Sequence, residues 1–181
     1  SSADLAQSAA QVFMVSCIGD DELGRQALDS IAAHGVDVHC MQTVDRPTGQ
    51  VLIELDPEGA ARYRFAEDSA RDHLAWHDSL RRLAADCSAV RFGTLGQRSE
   101  RSRNTIETFV KETPEPTLRI LDVNLRDPFF NDDVIVQSLA LANILKLNDE
   151  ELPVLARLCG ASGSDTETMR QLAERFQFRC V

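Results

Sequence analysis

Apolar positions along the chain fall into short runs that alternate between strand-like and helical spacing. Val12-Phe13-Met14-Val15-Ser16 reads as a short buried strand, ending in Cys17-Ile18-Gly19-Asp20-Asp21. Leu23, Ala27, Leu28 and Ile31 then recur at helical spacing, with Asp20 or Asp21 as the cap and Glu22 adding charge at the positive end. His34-Gly35 stops that helix with a left-handed glycine. Val36 to Met41 alternates as an edge strand does. Pro47-Thr48-Gly49 turns into Gln50-Val51-Leu52-Ile53-Glu54-Leu55, and Ala61-Arg62-Tyr63-Arg64-Phe65 follows the turn Asp56-Pro57-Glu58-Gly59. Two alternating runs about a Pro/Gly turn predict a β-hairpin, and their alternation suits a sheet with one face half exposed. Residues 36–66 are therefore expected to form a small antiparallel flap inserted in a parallel α/β chain.

Beyond the flap, Asp72 is expected to cap a helix carrying Leu74, Leu80, Leu83 and Ala84, followed by a strand over Ala89–Gly93. Arg98 to Glu112 predicts a helix with Ile106, Phe109 and Val110 inward, broken by Pro114 and Pro116. Leu118-Arg119-Ile120-Leu121-Asp122-Val123 and Ile144-Leu145-Lys146-Leu147 read as buried strands on either side of a helix-like stretch. Leu152 to Cys159 continues as a helix ended by Gly160, and Asp165 is expected to cap another with Met169, Leu172, Ala173 and Phe176 on one face. Phe178 to Val181 reads as the start of a strand, and Ser1 to Gln11 as a frayed or incomplete helix. The expected organisation is an α/β core over 1–35 and 67–181, incomplete at both ends, with 36–66 as a hairpin lid.

Charge narrows the choice of partners. A net charge of -10 and a pI near 4.8 argue against a nucleic-acid or anionic-membrane surface, which needs clustered Lys/Arg. Five scattered Cys without a C-x-x-C predict reduced thiols in a cytoplasmic protein. No apolar run approaches the length of a membrane span, and no basic segment precedes Ala9–Ile18 to make it a secretory peptide. His73 and His77 share a helical spacing but lack a third ligand, so a solvated face is expected. Neither G-x-x-x-x-G-K-[ST] nor G-x-G-x-x-G occurs, which disfavours an NAD-dependent Rossmann enzyme.

Two strands that both spill polar residues at their carboxyl ends describe one rim of an open α/β sheet, where ligands bind. The first delivers Asp122-Val123-Asn124-Leu125-Arg126. Asp and Asn can simply cap a loop after a strand, while Arg126 offers a planar, permanently charged fork to a phosphate or carboxylate. Leu-Asp-Val-Asn-Leu also resembles a response-regulator phosphoacceptor strand, but the acidic pair Asp20-Asp21 lies too far upstream for a receiver. The second strand delivers Asn148-Asp149-Glu150-Glu151, and Asn148 with Glu151 has the spacing of a capping box. The same pair at a positive helix terminus can hold phosphate oxygens and a hydrated Mg²⁺, for which one carboxylate acting through water suffices.

The order of these pieces resembles the ribokinase-like (PfkB) carbohydrate kinases. The resemblance is carried by Val15 to Gly24, His34-Gly35-Val36-Asp37, Pro47-Thr48-Gly49, and a hairpin where that family carries its β-flap lid. Asp122-x-Asn124-x-Arg126 is similar to the form in the fructokinase and 2-keto-3-deoxygluconate kinase branches, and Asn148-x-x-Glu151 to the family's Asn-x-x-Glu motif. Phe129-Phe130 stand near where many members have a Trp. The resemblance implies a three-layer αβα sandwich with a mainly parallel sheet and a β-flap, acting as an ATP- and Mg²⁺-dependent sugar kinase. It implies substrate or phosphate contacts from Asp122, Asn124 and Arg126, lid contacts from Thr48 and Gly49, and Mg²⁺–phosphate handling by Asn148 and Glu151, the latter through water. It also implies a possible homodimer through the flap. The family's sugar-binding Asp and Gly-Gly-x-x-x-Asn motif are expected before Val12, and its Gly-Ala-Gly-Asp motif, with the catalytic base, beyond Val181. The 181-residue chain by itself is accordingly expected to be inactive. The alternatives are a non-catalytic sugar- or nucleotide-binding relative and an adenosine-type nucleoside kinase.

Overall fold

The computed structural model describes residues 10–55, 61–126 and 128–181. The N-terminal frayed helix (to residue 9) and the turn at 56–59 lie outside the described residues. The chain forms two compact units, Ser1–Ala75 and Trp76–Val181.

In the first unit, β1 (Ser16–Gly19) lies parallel to β2 (Met41–Val44), and α1 (Glu22–Ala33) joins them. The ladder starts later than the hydrophobic run implies. Val12 to Val15 contributes only an isolated bridge between Phe13 and Asp37. A turn in which Met41 N–H donates to Val38 O then interrupts the pairing before Ser16 meets Met41. The alternation over 36–41 is therefore not an edge strand of the flap; the strand begins at Met41 and runs parallel to β1. Asp21 caps α1, and Gly35, with φ 75°, closes it in the left-handed region as its sequence implies.

The antiparallel element is β3 (Val51–Leu55) paired with β4 (Ala61–Phe65), in the register Val51 to Phe65. Asp72 plays a different part from the helix cap expected. It is the third residue of a 3-10 turn (Ala70–His73), where its carboxylate accepts the Ser69 N–H at 3.0 Å and the Ser69 hydroxyl at 3.3 Å. Ser69 thus captures that carboxylate in a capping box of its own.

The second unit begins with α2 (Asp78–Asp86) and continues as β5 (Ala89–Gly93), α3 (Glu100–Glu112), β6 (Leu118–Asp122), α4 (Asp132–Leu141), β7 (Ile144–Lys146), α5 (Glu151–Cys159) and α6 (Asp165–Phe176). The strands run parallel in the order β5-β6-β7, and the tail read as the start of a strand contributes an isolated parallel bridge from Cys180 to Ile144. Ser99 rather than Arg98 opens α3. Ser164 rather than Asp165 caps α6, because its hydroxyl and the Glu167 carboxylate form a reciprocal box.

Parallel strands added in sequence by right-handed crossovers lay their connecting helices on one sheet face. Phe92, Leu121 and Leu145 project from that face, by the period of two, into a core with Val110, Ile135, Leu139, Leu155 and Leu172. Arg91, Ile120, Asp122, Ile144 and Lys146 consequently occupy the other face. The molecule is α/β with parallel sheets and helices, the expected class. Among the described residues no helix is long and apolar enough to cross a membrane.

Candidate active site

The three strands of the second unit end level with one another: Gly93 pairs with Asp122, and Asp122 with Lys146. A Cβ at Gly93 would stand 2.7 Å from the Asp122 carbonyl oxygen, so only glycine permits this approach. The buried Thr94 hydroxyl then donates to Val123 O at 2.9 Å, tying the loop after β5 to the chain after β6.

Asp122 is 7% exposed on the sheet face that carries cations. Its Oδ1 accepts from Lys146 Nζ at 2.9 Å, and its Oδ2 accepts from the Arg91 guanidinium. Burial raises its carboxyl pKa, but the bonds and charges of Lys146 and Arg91 outweigh burial and hold it below the usual range. Two exposed cations, Arg91 and Lys146, thus flank one carboxylate at this end of the sheet.

Past Asp122 the chain turns at Asn124, whose φ of 43° is a conformation Asn tolerates better than most side chains. Leu125 N–H donates to Glu151 Oε1 at 2.9 Å. Arg126 is exposed, and its Nη1 donates to Leu125 O at 3.1 Å. The Phe129 N–H closes the turn onto Arg126 O at 2.8 Å, with the Arg98 guanidinium 4.9 Å over the Phe129 ring.

Glu151 joins the two rim segments. Its Oε2 accepts the Asn148 N–H at 3.0 Å, while Asn148 Oδ1 accepts the Glu151 N–H at 2.9 Å. That is a capping box, formed just where α5 begins, and Oε1 extends it to Leu125 on the neighbouring strand's loop. The structure thus brings Asp122, Asn124, Arg126, Asn148 and Glu151 together on one rim. Thr48 and Gly49 belong to the first unit, where the Thr48 hydroxyl donates to Asp21 Oδ1 at 2.6 Å and accepts from Gly19 N–H at 2.9 Å.

Among the described residues no three His, Cys, Asp or Glu side chains converge as a metal cage. The donor set suits an ion that keeps its waters. Each Glu151 oxygen accepts one N–H and retains a second lone pair, and Asn148 is exposed beside it.

Sequence reading missed Arg91 and Lys146 as partners of Asp122, and Asp21 as the partner of Thr48. The period of two already put Arg91 and Gly93 on one face. What was missing was the register that sets them beside Asp122. Because the Asp122 pKa is depressed in the folded protein, its ion pairs contribute stability above the unfolded carboxylate pKa of about 4, and that stability is lost as pH falls through the lower folded value. Urea midpoints measured downward from pH 5 should therefore fall more steeply for the wild type than for Asp122→Asn. Parallel profiles would show that the two cations do not hold this carboxylate.

Residues 2–181 match the profile of the pfkB family carbohydrate kinase. A fructokinase of Rhizobium leguminosarum bv. trifolii is 26% identical over 140 residues, 75% of this chain and 43% of that protein. A fructokinase of Klebsiella pneumoniae is 27% identical over 169 residues, 88% of this chain and 53% of that protein. The crystal structure of fructokinase with bound ATP from Xylella fastidiosa superposes with a TM-score of 0.80 at 19% identity, over 99% of this chain and 57% of that one. The chain spans about half the length of the relatives it matches.

Proposed function

This chain belongs to the pfkB family of carbohydrate kinases, and we propose that its protein transfers the γ-phosphoryl group of ATP to a hydroxyl of a small sugar or sugar acid, fructose-like or ketodeoxygluconate-like. One observation carries the reading to these residues: Glu151 bonds the backbone of both Leu125 and Asn148, so the segment bearing Arg126 and the Asn-x-x-Glu turn form one rim. Phosphoryl transfer asks little covalent chemistry of a protein; positioning and neutralising charge are most of the work.

In this proposal Arg126 reaches the substrate anion or the transferring phosphoryl, where a planar fork meets two oxygens at once. Asp122, itself held by Arg91 and Lys146, and Asn124, in its left-handed turn, fix the chain that aims Arg126. Asn148 and Glu151 hold a hydrated Mg²⁺ and the nucleotide phosphates. Mg²⁺, when bound, spreads the charge that develops on the phosphate oxygens. The hairpin, rooted at Thr48 and Gly49, serves as the lid that keeps water from the reacting phosphoryl. Val51, Leu52 and Ile53 are exposed on it, which supports pairing with a second copy along the hairpin.

The test is ADP release by the full-length protein with fructose, ribose, ketodeoxygluconate and adenosine. Release that depends on both Mg²⁺ and fructose or ketodeoxygluconate is expected. Release with none of the four would refute the kinase reading, and release with adenosine alone would move the substrate to a nucleoside.

A further inference from the structure

Asp21 is more than the cap of a helix. As N-cap of α1, its Oδ1 accepts the Gly24 N–H at 2.7 Å. The same carboxylate also takes both donors of Thr48, the N–H on Oδ2 at 2.8 Å and the hydroxyl on Oδ1 at 2.6 Å. A cap needs one such bond. Two of these three go instead to a residue 27 positions away, at the entry to the hairpin. Thr48 Oγ1 in turn accepts the Gly19 N–H at 2.9 Å, so β1, α1 and the hairpin's entry meet at one carboxylate and one hydroxyl.

The junction has no spare room. A Cβ at Gly19 would lie 2.3 Å from Arg46 O and 2.8 Å from Thr48 N; one at Gly24 would lie 2.4 Å from Gly19 O and 2.9 Å from Thr48 Oγ1. Glycine is required at Gly19 because the Arg46–Thr48 segment passes so close to the end of β1, and at Gly24 because the Gly19 carbonyl, with the Thr48 hydroxyl behind it, fills the place of a side chain.

The hairpin's exit is tied to its entry at the same level. Ala70 N–H donates to Pro47 O at 2.8 Å. Asp68 accepts from Arg46 Nε at 3.1 Å and binds His73 Nε2 at 2.6 Å. A Cβ at Gly49 would stand 3.1 Å from Ser69 Oγ. Past Gly49 the support changes in kind: Val51, Leu52 and Ile53 are exposed, and β3 is held by its ladder to β4.

We propose that Asp21 is a positioning residue for the hairpin: by holding Thr48 against the first turn of α1 it fixes the hairpin's root, and any swing of the hairpin pivots beyond Gly49 on entry and before Asp68 on exit. That turnover depends on this root rests on the reading of the protein as a sugar kinase with a lid; the anchoring itself does not.

Asp21→Asn separates the two jobs of the carboxylate. Asn caps a helix as well as Asp does, but its amide sets an NH₂ against the Thr48 N–H. In the full-length protein, hydrogen exchange of the Thr48 amide should accelerate about tenfold or more while the Gly24 amide keeps its protection. The sugar KM should rise and kcat fall together, by about tenfold each, as expected for a root that sets lid geometry. Thr48→Val should follow Asp21→Asn, and Thr48→Ser, which keeps the hydroxyl, should keep the wild-type protection of its own amide. Unchanged Thr48 exchange in Asp21→Asn would overturn the anchoring. Accelerated exchange with both kinetic constants unaltered would overturn the positioning role. If the wild-type protein turns over no sugar, the kinase reading falls, and the exchange measurement alone still decides whether Asp21 anchors the hairpin.

Discussion

Glu151→Gln should destabilise the protein by about 1.5–3 kcal/mol and also shift its Mg²⁺ dependence. Glu151 is 5% exposed and accepts two backbone N–H groups that point at it from different segments, Leu125 and Asn148. Glutamine has one oxygen for two donors. Whichever N–H keeps that oxygen, the other faces an NH₂ in a nearly buried place, and a buried donor left without an acceptor costs more than an ordinary hydrogen bond contributes. The helix would keep half its capping box, since Asn148 Oδ1 still accepts the N–H of residue 151. The loop to Arg126 is the part at risk. Urea unfolding at unchanged m-value reads the stability loss. A Mg²⁺ titration of turnover reads the function: a weaker apparent affinity supports the water-mediated role, and an unchanged titration with lowered stability would leave Glu151 as a structural tie alone.

The sequence disclosed elements where local chemistry is decisive and was blind where register decides. Gly35 and Gly160 were readable as helix stops because only glycine takes their positive φ, of 75° and 66°, without cost. The hairpin was readable because alternation flanks a Pro/Gly turn. Asp165 misled because the neighbouring Ser164 competes for the capping role and residue type alone does not rank the two. Asp72 misled because the helix it was expected to cap starts only at Asp78, while its carboxylate closes the 3-10 turn that Ser69 opens. Residues 36–41 misled because alternation reports a pleated segment and not its partner; the pairing to β1 that begins at Met41 is a long-range fact. The rim shows the same division. Asn148 and Glu151, three apart, announced their reciprocal bonds. The Leu125 bond and the Arg91–Asp122–Lys146 cluster join residues 24 to 31 positions apart, which no local pattern encodes.

Arg126→Ala in the full-length protein should lower kcat/KM by about 10²-fold or more if the guanidinium meets charge that develops in the transition state. Stability should stay within about 0.5 kcal/mol of wild type, the usual range for an exposed side chain. The structure supports this separation. Arg126 is exposed, while the backbone on either side is held by other groups: Leu125 by Glu151, and the following turn by the Phe129 N–H on Arg126 O, a bond alanine also makes. Arg126→Lys sharpens the test, because lysine keeps the charge and loses the planar fork. If two phosphate or carboxylate oxygens are held at once, lysine should recover only a small part of the lost rate. If charge alone matters, it should recover most of it. The opposite pattern, a lowered melting temperature with kcat/KM intact in the alanine variant, would assign Arg126 to capping its own loop, and the anion would then have to be met by Arg91 and Lys146, the exposed cations on either side of Asp122.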